Sequence, residues 1–312
     1  MSDLRMRTHQ LVLIIGLACS SSAPWLWAQE EPAERGGIRL SVEPGGLLIQ
    51  HVKPGETYDL TQSSGIALKI SNTDTKPRTY RLSTHRPSEV GNRKWLEGYL
   101  EILDPSWFWL EQGEVTVGPE SDGFVKMYLK IPEEEQYHNQ HWVVSVGVQG
   151  KPEAGEMLAL AAFPRYQIET ESKADVKAIP AGLLGIKPAM LQFETMEPGK
   201  RKKAQVSLYN NDATARMYTI SIKTILVDPT REQIVPSPGY AWIPEPKWMS
   251  VSKGWVKVNG NESRTVNVSV KVPNKPEYSG QRWEALLWVE PDEGLPRFAR
   301  IQIETQPVLP SQ

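Results

Sequence analysis

The sequence predicts an all-β protein made of two tandem antiparallel β-sandwich domains. Three observations support this prediction. The chain contains a long internal repeat, its apolar residues alternate with a period of two, and turn motifs rich in Pro, Gly, Asn and Asp separate the short apolar runs. Beyond the N-terminal segment, no part of the 312-residue chain has a convincing helical period. Two layered β domains therefore explain the pattern with the fewest assumptions.

The internal repeat divides the chain into two copies. The motif FPRYQIET at 163–170 returns as FARIQIET at 298–305. Residues 104–148 also align with 245–289 at a constant offset and without a gap. The predicted organisation is a signal peptide at 1–28, a first repeat at 38–170, a linker at 171–181 and a second repeat at 182–305.

Each copy contains strands that alternate between apolar and polar residues. The segment 125–131 places four apolar side chains on one face, and the segment 266–272 does the same in the second copy. Turn motifs follow at intervals typical of a sandwich, so an Ig-like topology is predicted for each copy. The predicted inward residues are Val125, Met127, Leu129 and Ile131 in the first copy and Val266, Val268, Val270 and Val272 in the second.

Residues that both copies keep are best explained by the scaffold that both share. Asn and Asp residues in the turn suit a loop that hydrogen-bonds its own backbone, and the shared tryptophans suit the core or end of a sandwich. The shared residues include the pairs Asn72 and Asn210, Asp74 and Asp212, Trp107 and Trp248, Tyr137 and Tyr278, and Trp142 and Trp283.

The order of these motifs resembles bacterial envelope Ig-like modules. It is similar to the tandem Ig-like proteins that interact with WxL surface proteins and, more distantly, to periplasmic pilus chaperones. The resemblance covers both repeats and rests on scaffold motifs, from the Pro-Gly and NTD turns to the strand at 125–131. It implies an extracytoplasmic binding or assembly role in the cell envelope, and it carries over no catalytic residue.

The first 28 residues have the features of an export signal. Arg5 and Arg7 precede the apolar run at 11–18, which is too short to span a bilayer. Cleavage after Ala28 would release a soluble protein to the periplasm or cell surface, and we favour that form. Cleavage before Cys19, the only cysteine, would instead leave a lipid-anchored protein. No transmembrane segment is predicted in the mature chain.

Composition and motifs argue against several classes of function. The formal net charge of −2 and the absence of basic clusters disfavour a nucleic-acid partner. No Gly-rich nucleotide loop or serine-hydrolase motif is present, and no cofactor is predicted. The HNQH segment at 138–141 offers two imidazoles but no further ligand, so we interpret it as a solvated loop rather than a metal site. A glycan hydrolase with two carboxylates brought together by folding remains a remote alternative.

Function specific to one domain should lie where the copies differ. Trp109 alternates with the apolar Phe108, so it should point away from the core. Phe124 and Tyr128 occupy outward positions of the strand at 125–131. The second copy replaces these three aromatics, Trp109, Phe124 and Tyr128, by Ser250, Thr265 and Ser269.

Four further unshared aromatics complete the candidate binding residues: Trp95, Tyr240, Trp242 and Trp255. An outward aromatic patch needs a cover, which could be the second domain or the insert at 86–99, a protein partner, or a glycan. We interpret the chain as an exported, non-catalytic binding protein that engages an envelope or surface protein through these aromatics or a free sheet edge. A carbohydrate or cell-wall module is the alternative.

Overall fold

The computed structural model describes residues 14–16, 40–91, 98–152, 159–180, 182–224 and 234–307. It confirms the predicted fold class, because the elements are almost all β-strands and form two Ig-like sandwiches in line. Trp95 and Cys19 lie outside the described residues. The boundaries of the two repeats and of the linker stay predictions.

The first domain stacks one large sheet against two small ones. The large sheet has the strand order β1-β3-β14-β12-β6-β9, with β7 and β13 also paired to β12, and the small sheets have the orders β10-β5-β2 and β4-β11-β8. The strands are β1 Ile14–Gly16, β2 Leu40–Glu43, β3 Gly46–Val52, β4 Thr57–Asp59, β5 Leu68–Asn72, β6 Arg78–His85, β7 Leu100–Glu101, β8 Phe108–Leu110, β9 Glu114–Val117, β10 Ser121–Val125, β11 Met127–Lys130, β12 His141–Gly150, β13 Ala161–Ala162 and β14 Arg165–Thr170.

The second domain has two sheets. Their strand orders are β15-β17-β22-β20 and β16-β24-β23-β18-β21, with β19 also paired to β23. The strands are β15 Leu184–Lys187, β16 Met190–Met196, β17 Arg201–Asn210, β18 Arg216–Lys223, β19 Ala241–Trp242, β20 Met249–Val251, β21 Trp255–Val258, β22 Ser263–Lys271, β23 Arg282–Pro291 and β24 Arg297–Thr305. Short 3-10 turns occupy Pro87–Val90, Pro105–Trp107, Glu135–Tyr137, Pro246–Trp248 and Pro276–Tyr278.

Most strand pairs are antiparallel, and the main exceptions are the pair of β3 with β14 and the pair of β16 with β24. In the first domain β2 pairs with β5, and the chain then changes sheets so that β3 pairs in parallel with β14. In the second domain β15 pairs with β17, and β16 then pairs in parallel with β24. Both changes of sheet contain a cis X–Pro bond, at Pro44 and Pro188. The two copies therefore share this connection.

The alternation read from the sequence defines the two cores. All eight predicted inward residues are buried, and they fall into one apolar cluster per domain. The three shared aromatics close each core in the same way. Trp107 packs on Tyr137 and Trp142, with ring centroids 5.0 and 5.6 Å away. Trp248 packs on Tyr278 and Trp283 at 4.6 and 5.7 Å.

The shared Asn turns also have the same hydrogen bonds. Asn72 donates through Nδ2 to the carbonyls of Lys76, Val117 and Gly118 at 2.8, 3.2 and 2.8 Å. Asn210 donates to Thr214, Val258 and Asn259 at 2.7, 3.1 and 3.2 Å. A buried amide that satisfies three backbone carbonyls fixes the turn, which explains why both copies keep it.

One of the differences in length between the two copies lies before the turn Asn. Between its Pro-Gly pair and its turn Asn, the first copy has 16 residues and the second has 10. The extra residues form the one-turn helix α1, Leu60–Ser64, which Asp59 caps by accepting from the Gln62 backbone N–H at 2.9 Å. Gly65 ends the helix at φ 73°, in the left-handed region. The second domain has the single strand β17 at this place, whereas in the first domain α1 divides the corresponding strand into β4 and β5.

The predicted export signal contributes the strand β1, which pairs antiparallel with β3 so that Ile14 lies opposite Ile49. Cleavage at either predicted site would remove β1 and leave that edge of β3 unpaired. Across the described ranges, no helix has the length and apolar character needed to cross a membrane.

Candidate functional site

Three predicted binding residues lie on the outer surface of the small sheets of the first domain. We call Trp109, Phe124 and Tyr128 the aromatic face. Trp109 is on β8, Tyr128 is on β11, and Phe124 is on β10. Trp109 and Phe124 are 36% and 63% exposed, and Tyr128 is half-buried. The predicted outward orientation is therefore confirmed.

Strand alternation positions Trp109 and Tyr128 together. Phe108 points inward and is fully buried, so Trp109 must point outward. The register of β8 and β11 places Trp109 directly opposite Tyr128. Their rings stack with centroids 5.5 Å apart and planes inclined by 13°. Two stacked rings form a flat, rigid apolar platform.

Phe124 extends this surface along the same strand direction. Lys126 lies between Phe124 and Tyr128 and forms an ion pair with Glu111, 3.5 Å away. The charge of Glu111 raises the pKa of the Lys126 ammonium. Opposite Phe124 is Lys69, which lies 3.2 Å from the Asp122 carboxylate. The aromatic face therefore has a border of paired charges, as in the rim of a protein interface.

An open cleft of about 460 Å³ adjoins the aromatic face. Its polar lining comes from Ser106, Lys130 and Glu133, and its aromatic lining comes from Trp107 and Trp109. The exposed side of Trp109 thus borders a concave surface with donors and acceptors. A side chain or a sugar ring could be accommodated there.

The second domain has the same backbone at this position with other side chains. Ser250 lies opposite Ser269 in the register of β20 and β22, as Trp109 lies opposite Tyr128 in the first domain. Two hydroxyls therefore replace the stacked rings. The fold does not require aromatic residues at these positions.

The aromatic candidates of the second domain have different environments. Tyr240 donates its hydroxyl to Glu304 at 2.8 Å, and Trp242 packs against an apolar cluster at the domain junction. Both side chains are thus engaged within the molecule. Trp255 is 66% exposed on the edge strand β21. Binding roles for these three residues stay predictions.

A buried charge cluster joins the large sheet of the first domain to the six-stranded sheet of the second domain. Glu169, on β14, accepts two hydrogen bonds from Arg300, on β24, at 2.7 and 2.6 Å. Arg300 also binds Glu284 of β23, and all three side chains are almost fully buried. Tyr99 donates to Glu169 as well. We call Glu169, Arg300 and Glu284 the junction cluster.

The junction cluster changes the pKa of the Glu169 carboxyl. Burial alone would raise the pKa of Glu169, but the charge and hydrogen bonds of Arg300 outweigh burial and lower that pKa to about 2. Gln50 of the first domain donates to Glu169 at 2.8 Å and to Ser237 of the second at 3.0 Å. The cluster therefore links the domains through charged and neutral hydrogen bonds.

The HNQH segment is part of this junction, which corrects its interpretation as a solvated loop. Asn139, Gln140 and His141 are buried. Asn139 Oδ1 accepts from the backbone N–H of Ala189 in the second domain at 3.0 Å. His141 stacks on Phe298 at 4.1 Å, and burial lowers the pKa of its imidazole to about 3. The error arose because the sequence does not show that a polar turn packs against a second domain.

The junction cluster was not predicted from the sequence, although two of its residues belong to a repeated motif. Glu169 and Arg300 belong to the repeated motif FPRYQIET and FARIQIET, where they match Glu304 and Arg165. The Glu of the first copy binds the Arg of the second across the junction. Buried charges repeated within an apolar strand were the available signal, because an isolated charge in a core is costly.

Comparisons with known proteins yield only distant similarities. No family model matches the chain, and no curated protein matches it. A Porphyromonas gingivalis protein of unknown function is 13% identical, with a TM-score of 0.33, over 85% of this chain and 99% of that chain. The periplasmic chaperone SfaE is 10% identical, with a TM-score of 0.29, over 84% and 99% of the two chains.

A third similar structure is a family 123 glycoside hydrolase from Clostridium perfringens. It is 10% identical, with a TM-score of 0.30, over 41% of this chain and 28% of that chain. A periplasmic chaperone and a glycoside hydrolase are thus both among the similar structures. At these TM-scores none of the three supports a conclusion about function, and the resemblance to WxL-interacting proteins stays a prediction.

Proposed function

We propose that this chain is an exported, non-catalytic binding or assembly protein of the bacterial cell envelope. Its first domain binds a protein partner through the aromatic face. The observation that carries the proposal is the exposed, stacked pair of Trp109 and Tyr128, with Phe124 beyond it, on a scaffold whose second copy has Ser250, Ser269 and Thr265 there.

The surroundings of the aromatic face favour a protein partner. Rigid aromatic anchors within a polar rim are typical of interface hot spots, because they bury much apolar area at little cost in side-chain entropy. The ion pairs of Lys126 with Glu111 and of Lys69 with Asp122 supply such a rim. Among the described residues, the hydrogen bonds and ring contacts between the domains involve other side chains, including Tyr99, Asn139 and Glu169.

The carboxylates buried at the domain junction have a structural role. Glu169 and Glu284 both bind Arg300 and are almost fully buried, so their ion pairs account for them without a catalytic role. In the described part of the chain, no three His, Cys, Asp or Glu side chains are grouped to bind a metal.

A glycan is the second candidate ligand. The cleft beside Trp109 offers Ser106, Lys130 and Glu133 as hydrogen-bonding groups for sugar hydroxyls. A glycan array and a peptidoglycan pull-down distinguish the two ligands. Retention of peptidoglycan by the wild type and its loss with Trp109→Ala would favour the glycan.

The proposal is tested with a double variant and its matched control. Immobilised wild-type chain and the variants Trp109→Ala with Tyr128→Ala and Ser250→Ala with Ser269→Ala are exposed to an envelope extract of the native organism. We expect the same discrete protein on the wild type and on the serine control, and none on the aromatic variant. Equal recovery on all three would contradict the proposal.

A further inference from the structure

A second interaction surface lies at the edge of the second domain and is independent of the aromatic face. The edge strand β21 is paired on one side only, with β18. Gly254 accepts from the Ile220 backbone N–H at 2.8 Å, toward β18. Antiparallel alternation then directs the N–H and C=O groups of Trp255 and Lys257 away from β18. The outer edge of β21 therefore presents main-chain donors and acceptors.

The side chains along this edge are cationic and aromatic. Lys253, Trp255, Lys257 and Arg264 line an open cleft of about 530 Å³, and its lining contains no acidic residue. Trp255 is 66% exposed. Within the described ranges, none of the three cations forms an ion pair. The edge thus combines an uncovered indole with three uncompensated positive charges.

Two acidic residues on the adjoining elements do not neutralise the cleft. Glu262, in the turn between β21 and β22, accepts from the Asn259 amide at 3.0 Å. Glu290 lies two strands away from Trp255, because Thr219 is opposite both residues in the sheet register. Two strand spacings correspond to about 10 Å, which is close to the screening length at physiological salt.

The first domain shows that the scaffold does not require these side chains. Its corresponding strand, β9, is also at the edge of its sheet and is paired with β6. There Gly113 accepts from the Leu82 backbone N–H at 2.8 Å, as Gly254 does from Ile220. The residues at the four equivalent positions are Gln112, Glu114, Thr116 and Gly123.

Protection of the edge against aggregation explains only part of this pattern. Lysine on an edge strand commonly prevents pairing with other chains, and Lys257 fits that role. An exposed indole has the opposite effect, because it adds apolar area beside the unpaired main chain. The combination is better suited to admitting one kind of strand and excluding others.

We propose that β21 binds an extended acidic peptide segment of a partner protein as an added strand. The segment hydrogen-bonds to the main chain of Trp255 and Lys257, and its acidic side chains meet Lys253, Lys257 and Arg264. Its apolar positions cover the indole. Strand addition of this kind takes affinity from the main chain and specificity from alternate side chains. A polyanionic glycan would meet the cations without using the main chain.

The test uses a displayed library of random ten-residue peptides, selected on the full chain. An enriched peptide is then labelled and titrated against the variants Lys257→Gln, Lys257→Pro and Thr116→Pro by fluorescence anisotropy. Lys257→Gln removes the charge, while Lys257→Pro also removes the N–H that faces the free edge. Proline is tolerated at such a position, because the lost donor had no partner in the sheet. Thr116→Pro is the matched control in β9.

We expect enriched peptides with acidic residues at alternate positions. Lys257→Pro should weaken binding about tenfold more than Lys257→Gln does, because it removes a main-chain hydrogen bond as well as the charge. Thr116→Pro should leave binding unchanged. Bound peptide should also slow hydrogen exchange at the amides of Trp255 and Lys257.

Three results would overturn the proposal. The first is that no peptide is enriched or that the enriched peptides are not acidic. The second is that Lys257→Pro and Lys257→Gln bind equally, without protection of the two amides. The third is that heparin binds the wild type more tightly than any peptide does, is lost with Lys253→Glu and Arg264→Glu, and is unaffected by Lys257→Pro. That result would assign the cleft to a polyanionic glycan.

Discussion

The two domains share the contacts that stabilise their folds but differ in the side chains that they present on the outer surface. The turns at Asn72 and Asn210 form the same set of hydrogen bonds, and the aromatic residues around Trp107 and Trp248 pack alike. Trp109, exposed in the first domain, corresponds to Ser250. Because both copies must satisfy the same scaffold, outward differences of this kind indicate separate functions.

The largest expected loss of stability comes from Glu169→Gln. Its matched control is Glu304→Gln, which changes the carboxylate at the same position of the repeated motif in the second copy. Glu169→Gln should lower the free energy of unfolding by about 3 kcal/mol, because it removes one anion from a buried guanidinium. Glu304→Gln, at a partly exposed position beside Arg282, should cost less than about 1 kcal/mol. Urea denaturation of the two variants measures the difference. Equal losses would show that the junction cluster does not hold the domains together.

Removing the turn Asn should destabilise the two domains equally. Asn72→Ala and Asn210→Ala should each cost about 2 kcal/mol, because each leaves three backbone carbonyls without the amide that they share. Urea denaturation followed by tryptophan fluorescence checks both variants. A much larger loss in one domain would mean that the turns are not equivalent scaffold elements.

Acid should weaken the junction through two groups with lowered pKa values. His141 stays neutral in the folded chain down to a pKa of about 3, so stability is lost as pH falls below its ordinary value near 6.5. Glu169 adds a loss as pH falls from its ordinary pKa near 4.5 toward about 2. Measured between pH 7 and 5, the free energy of unfolding should fall less in His141→Phe than in the wild type. His51 and His138 titrate in the same direction and leave a residual slope.

Loss of the aromatic face should have only a small effect on stability. Trp109→Ala with Tyr128→Ala should cost about 1 kcal/mol, which is the typical contribution of a stacked pair, because neither ring is in the core. Thermal denaturation beside Ser250→Ala with Ser269→Ala measures this cost. A collapse of the first domain would mean that these rings support the fold rather than a partner.

Most of the fold could be predicted from the sequence, because the period of two and the repeat are local patterns. They identified the buried face of 125–131 and the outward position of Trp109. The helix α1 was not predicted, since one turn with an Asp cap leaves no helical period. Its signal was the six-residue difference in length before the turn Asn of each copy.

The pairing of residues across the junction could not be predicted, because it depends on contacts between domains. Glu169 and Arg300 are 131 positions apart in the chain, and only the fold brings them together. The polar HNQH segment has the composition of a loop, yet the second domain covers it. The Glu169–Arg300 pair and the HNQH segment both show that burial between domains is not visible in the local composition of the sequence.

We propose that the first domain binds its partner through Trp109, while the equivalent surface of the second domain does not bind it. This proposal is tested most directly by placing the photoreactive residue p-benzoylphenylalanine at position 109 or at position 250 and irradiating each chain with an envelope extract. We expect one discrete protein adduct from position 109 and none from position 250. Equal adducts from both positions, or none from position 109, would contradict the account.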